Sequence, residues 1–153
     1  MTRSLLDTDI FSEVMKGRNA NVVRAARDYL AAHDQLTISA VTVMEVSYGL
    51  HRAGRTEQLA AFEALLATIE VLPLGDAAGL LAGHMKADLD ARGTPIGASD
   101  VMITAVAITS GIPLVTGNVA HFEFVRATAV ASLNSWGMRP VDRAATRMCL
   151  KLR

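Results

Sequence analysis

Four oxygen-bearing side chains stand where they could do chemistry together: Asp7, Glu45, Asp100 and Asn118. Asp7 closes the apolar start of Leu5-Leu6-Asp7-Thr8-Asp9. Asp100 heads Val101-Met102-Ile103, and Asn118 follows Leu114-Val115-Thr116-Gly117. Each of these three has an ordinary structural explanation. Asp caps helices, an acid in a first turn suits the helix dipole, and Asn after a strand makes turns. Glu45 is harder to explain, because its helical neighbours Val41, Met44 and Tyr48 are apolar and no Lys or Arg lies within one turn. A lone buried carboxylate costs roughly several kcal/mol, so its partner comes from elsewhere in the fold or is a cation. Gathered carboxylates repel and raise one another's pKa, which a divalent cation relieves. Oxygen-only donors select Mg²⁺ or Mn²⁺ over zinc. The single cysteine, Cys149, and four scattered histidines (His33, His51, His84, His121) offer no zinc spacing.

The elements that must position these residues alternate in type. Ser4–Leu6 reads as a short strand, 9–16 and 20–33 as helices, and Leu36–Ser39 as a strand whose last residue caps a helix running through Leu50. A helix over 56–68 and a strand over Glu70–Leu72, stopped by Pro73, come next. Asp76 opens a long helix ending near Arg92–Gly93, and Ser99 or Asp100 opens the most apolar helix, through Ser110. Pro113–Thr116 and Ala127–Leu133 read as the remaining strands. This alternation predicts a three-layer α/β/α fold with a mainly parallel central sheet. Ligands in such sheets sit outside the carboxyl ends of the strands, the edge where Asp7 and Asn118 fall.

The bulk properties narrow the classes. A chain of 153 residues that is 51% hydrophobic and 20% charged forms one ordinary domain and is not disordered. Its net charge of +0 excludes a polycation, so nucleic acid must be attracted by a local patch or by metal ions. Residues 137–153 hold Arg139, Arg143, Arg147, Lys151 and Arg153 against Asp142 alone. This basic C-terminal tail is a solvated terminus or a phosphate contact. No disulfide framework is possible within the chain, no signal peptide is apparent, and no apolar run suits a membrane span. A cytoplasmic setting is expected.

Four segments together resemble the PIN-domain family. Leu-Leu-Asp-Thr-Asp-Ile (5–10) resembles its opening motif, and Ile-Ser-Ala-Val-Thr-Val-Met-Glu-Val-Ser-Tyr-Gly (38–49) its second. Pro-Ile-Gly-Ala-Ser-Asp-Val-Met-Ile-Thr-Ala (95–105) resembles the third, and Leu-Val-Thr-Gly-Asn-Val-Ala-His-Phe (114–122) the fourth. Within the family the chain is similar to VapC-type toxin ribonucleases, many of which end near the position of Trp136, giving a nuclease domain over 1–136. The resemblance implies a Mg²⁺ or Mn²⁺ site lined by Asp7, Glu45, Asp100 and Asn118, with Thr8 and Thr116 orienting water or phosphate. It implies endoribonuclease activity, often on tRNA or rRNA, a VapB-like antitoxin, and a homodimer. Three positions depart from the family pattern: Asp9 replaces Asn, His121 stands where an acid is common, and Asn118 is neutral where some members have Asp. One firmly bound ion is therefore expected, with a second recruited by substrate.

The expected reaction is phosphodiester hydrolysis with Asp7 and Asp100 as direct ligands. Glu45 binds through water or acts as base, and Thr116 positions phosphate or water. Three other readings stay open. One is a PIN-like module acting with its antitoxin in DNA-bound autoregulation, and another an inactive interaction module. The last is a phosphotransfer receiver or phosphatase of another α/β family, and a receiver needs a lysine after a late strand that the segment following Leu114–Thr116 lacks.

Overall fold

Two-residue and three-residue strands alternate with helices of 9 to 16 residues. The computed structural model describes residues 2–94 and 96–117, together with the backbone of residues 149–150. In chain order the elements are β1 (Leu5–Leu6), α1 (Thr8–Lys16), α2 (Ala20–His33), β2 (Thr37–Ser39), α3 (Ala40–Arg52) and α4 (Thr56–Leu65). They continue with β3 (Glu70–Leu72), α5 (Asp76–Ala91), α6 (Ala98–Thr109), β4 (Leu114–Val115) and β5 (Cys149–Leu150). A 3₁₀ turn at Leu66–Thr68 replaces the end of the helix expected over 56–68. The expected strand at Ala127–Leu133, Asn118, His121, Trp136 and the boundary at residue 136 lie outside the described residues. Cys149–Leu150, inside the segment read as a tail, pairs as a strand with β4.

Every ladder among the described residues is parallel, in keeping with the mainly parallel sheet that the sequence predicts. Leu5 pairs with Leu114 and Leu6 with Val115, while Thr37, Ile38 and Ser39 pair with Glu70, Val71 and Leu72. β2 lies beside β1 without joining its ladder, so the spatial order is β3-β2-β1-β4-β5. The chain thus runs one way from β1 to β3, then returns across β1 to β4. That reversal is a topological switch point, and α/β sheets bind their ligands beside such a point at the carboxyl ends of the strands, here β1 and β4.

Strand alternation assigns the layers. Leu5 and Leu114 join one core with Leu81, Met85 and Leu89 of α5 and with Val101, Ile103 and Val106 of α6. Leu6 and Val115, one residue further on, face the opposite way. They join a second core with Ile10 and Phe11 of α1, Tyr29 of α2, Ile38 of β2 and Phe62 of α4. The three layers therefore follow from a one-residue step in each of two paired strands.

The amino end of the sheet is closed by a polar cluster. The Tyr29 hydroxyl accepts from the Ser4 amide at 3.0 Å and donates to the Ser4 carbonyl at 3.1 Å. Thr37 donates to Glu70 at 2.7 Å, and Arg3 pairs with the same carboxylate. The Arg3 hydrogen bond, with Thr37 adding to it, holds the Glu70 carboxyl below its ordinary value. The cluster joins β1, β2, β3 and α2 by side chains where no backbone ladder links β1 to β2.

Phe11 and Phe62 are both buried, with ring centroids 6.1 Å apart and planes tilted by 59°. Phe62→Ala opens a cavity between α1 and α4. It is expected to lower the unfolding free energy by about 3–5 kcal/mol, read from urea denaturation.

Candidate functional site

Asp7 is placed twice over. Its backbone N–H donates to the Val115 carbonyl at 3.0 Å, which continues the β1–β4 register by one residue. Its side chain then caps α1, accepting from the Ile10 amide at 2.8 Å. The same register sets Thr116 beside it, and the Thr116 hydroxyl hydrogen-bonds the Asp7 carboxylate. Asp7 is only 4% exposed and Thr116 is fully buried. Burial pushes the Asp7 carboxyl above its ordinary value. The hydrogen bonds from Thr116 and Ile10 pull it back, and the negative charges of Asp9 and Asp100 push it up again.

Asp100 reaches this group from the opposite layer. α6 starts at Ala98, one or two residues before the sequence suggests, with Gly97 at the cap position and no side-chain cap bond. That puts Asp100 in the first turn, half-buried, where the helix dipole favours a carboxylate. The Thr104 hydroxyl back-bonds to the Asp100 carbonyl at 2.8 Å.

Glu45 stands apart from the other two acids. Ser39 caps α3 by accepting from the Thr42 amide at 3.0 Å, as expected from the sequence. The helix then presents Thr42 and Glu45, three residues apart, on one face. Glu45 is half-buried and accepts a hydrogen bond from the Thr8 hydroxyl. The apolar surroundings read from the sequence are found only in part: Val41 is buried, but Met44 is 50% and Tyr48 60% exposed. Its partner does come from elsewhere in the fold, as a threonine hydroxyl.

The structure thus brings Asp7, Asp100 and Thr116 together and links Glu45 to them through Thr8, the residue next to Asp7. Among the described residues no group of three His, Cys, Asp or Glu side chains is set to hold a metal. Asn118 lies outside those residues. The donors that are present suit a hard cation nonetheless. Mg²⁺ commonly binds through one or two carboxylates with water and phosphate filling the rest of its shell. A buried carboxylate beside two further negative charges is stabilised by such an ion. Sequence reasoning passed over two contributors, the charge of Asp9 on Asp7 and the buried hydroxyl of Thr42. A Ser capping α3 with Thr at its third position was the available signal for Thr42.

A doubly wound three-layer α/β fold thus gathers acids and a threonine at the carboxyl ends of β1 and β4, the edge where such folds place their ligands. The chain belongs to the PIN-domain family, whose model matches residues 4–126 and so spans all four segments identified above. It is 33% identical over 126 residues to the tRNA(fMet)-specific endonuclease VapC of Shigella flexneri, covering 82% of this chain and 93% of that protein. The protein of the same name from Salmonella typhimurium is 30% identical over 124 residues, covering 80% and 92%. Among solved structures, DNA-bound VapBC from Salmonella typhimurium superposes with a TM-score of 0.68 at 30% identity, over 80% of this chain and 92% of that one. VapBC-1 from nontypeable Haemophilus influenzae gives 0.67 at 29%, over 80% and 91%. No helix among the described residues is long and apolar enough to cross a membrane.

The raised Asp7 value has a consequence for stability. The folded chain binds this proton more tightly than the unfolded chain does. The stability it contributes is therefore present in acid and lost as pH rises through the raised value. Asp7→Asn keeps an oxygen for the Ile10 amide and removes the buried charge. In metal-free buffer it is expected to melt higher than the parent at neutral pH, with the difference closing in acid. Melting curves followed by circular dichroism across pH check this, and an Asn variant that melts lower at neutral pH refutes it.

Proposed function

We propose that this chain is a Mg²⁺- or Mn²⁺-dependent endoribonuclease, the toxic component of a VapBC-like toxin–antitoxin module. The observation that carries the reading is the buried Asp7 carboxylate. It is held by Thr116 and neighboured by Asp100 at the β1–β4 switch point, in a chain 33% identical to a VapC endonuclease. Asp7 and Asp100 would hold the cation, with Asn118 adding a neutral oxygen. A bound divalent cation supplies neutralisation of the charge that builds on the phosphodiester and a lowered pKa for water.

The chain's own residues do the rest. The α1 cap and the Val115 carbonyl fix Asp7 on both sides, so its carboxylate does not swing when substrate arrives. Thr116 orients that carboxylate and stands ready to position phosphate or water. Glu45, half-buried and held by Thr8, has the exposure to take a proton from a nucleophilic water at the rim. Because the net charge is +0, RNA is drawn to the cation and to local basic groups. The substrate we propose is a structured RNA such as tRNA or rRNA. The inhibitory partner is a VapB-like antitoxin, the assembly a homodimer and the setting cytoplasmic.

A second reading rests on the Salmonella relative having been solved as a DNA-bound VapBC complex: the chain acts with its antitoxin on DNA rather than by cleaving RNA. Purified Asp7→Ala and Asp100→Ala proteins separate the two. Each is expected to cut RNA at least about a hundredfold more slowly than the parent and to relieve growth arrest on expression, with circular-dichroism spectra unchanged. Undiminished cleavage by Asp100→Ala overturns the nuclease assignment of this site.

A further inference from the structure

One face of α3 has a composition that its packing does not explain. Val41, Glu45, Tyr48 and Arg52 recur at helical spacing and so share that face. Val41 is buried in the core that also holds α6, whose first turn bears Asp100. The face thus leaves the site at Glu45 and runs out to solvent, where Tyr48 is 60% exposed and Arg52 is exposed as well.

The exposed members differ from their kind elsewhere in the molecule. Phe11, Phe62 and Tyr29 are buried, and the Tyr29 hydroxyl is bonded to Ser4. Tyr48 is the one exposed aromatic ring among the described residues. Arg3, Lys16 and Lys86 pair with Glu70, Glu13 and Asp90, whereas Arg52 has no ion pair among the described residues. Gly49 lies on the same face, four residues after Glu45 and three before Arg52, and a side chain there would meet nothing within 4 Å. Glycine inside a helix is less stable than alanine. Here it leaves room for something outside the chain.

The order of groups names the occupant. An open aromatic face stacks a nucleobase, and a guanidinium pairs with a phosphate. Both follow Glu45 within two turns of one helix, which favours the strand whose phosphodiester lies at the site. We propose that this face of α3 is the track for unpaired RNA beside the scissile phosphodiester, with Tyr48 stacking a base and Arg52 holding a backbone phosphate across the gap left by Gly49. The inference rests on the nuclease reading and adds the residues that select an unpaired strand. Bases of a duplex are already stacked and offer Tyr48 no free face.

The test reads affinity by fluorescence anisotropy in the slow-cutting Asp100→Ala background, with labelled unfractionated tRNA and with poly(A)·poly(U) duplex. Tyr48→Ala is expected to weaken tRNA binding about tenfold, to change duplex binding little and to leave the salt dependence as it was, and Tyr48→Phe to restore the affinity. Arg52→Gln is expected to lower the slope of log affinity against log salt by about one. Gly49→Ala is expected to melt higher than its parent yet bind tRNA more weakly. Unchanged tRNA affinity in the Tyr48→Ala protein overturns the proposal, as does an equal loss for tRNA and duplex. A Tyr48→Ala protein that keeps its tRNA affinity but loses a dimer in sedimentation assigns the face to a second copy, which also overturns it. The nuclease reading is checked apart from this: a protein with Asp100 intact that cuts neither tRNA nor ribosomal RNA ends that reading, and the track falls with it.

Discussion

The parallel pairing of β1 with β4 is the constraint on which the rest of this molecule depends. Its two rungs, Leu5 to Leu114 and Leu6 to Val115, set which side chains enter each core. A slip of one residue would turn both strands over and send each leucine into the wrong layer. The next rung, the Asp7 amide on the Val115 carbonyl, carries the pairing out of the core and into the site. Packing energy thereby fixes the distance between a carboxylate and a hydroxyl that take no part in packing.

The two ends of the sheet treat charge in opposite ways. At the amino end Glu70 is neutralised by Arg3 and bonded by Thr37, which lowers its proton affinity. At the carboxyl end Asp7 is surrounded by low-dielectric core and by two more acids, which raises its proton affinity. The first arrangement ties strands together. The second gathers negative charge in a buried setting, and the core beneath must be stable enough to bear it. Function and stability are thus separated along the strand axis, a short distance apart.

Much of this was legible in the sequence because it is local. Ser39 as a cap, the helix stop at Gly93 and the strand ending at Asp7 depend on a few neighbouring residues. Gly93 takes a left-handed backbone, φ 67°, as a stop signal should. Local rules failed where a neighbour came from far along the chain. That Glu45 finds its partner elsewhere in the fold was legible, but not that the partner is Thr8, and of the apolar neighbours Val41, Met44 and Tyr48 only Val41 is buried. α6 starts earlier than expected, with Gly97 at the cap position and no side-chain cap bond, so the capping residue types of Ser99 and Asp100 were a misleading signal. The parallel strand at Cys149–Leu150 was hidden by its brevity and by the basic residues around it.

The order in which the site's parts appear along the chain also has a consequence in time. Asp7 belongs to the first strand, while Thr116 follows β4. A chain emerging from the ribosome therefore presents its first acid long before the strand that completes the pocket exists. Pairing between such distant segments is slow and waits for most of the core. The growing polypeptide therefore carries Asp7 and Asp100 apart, and the site assembles only after β4 has emerged.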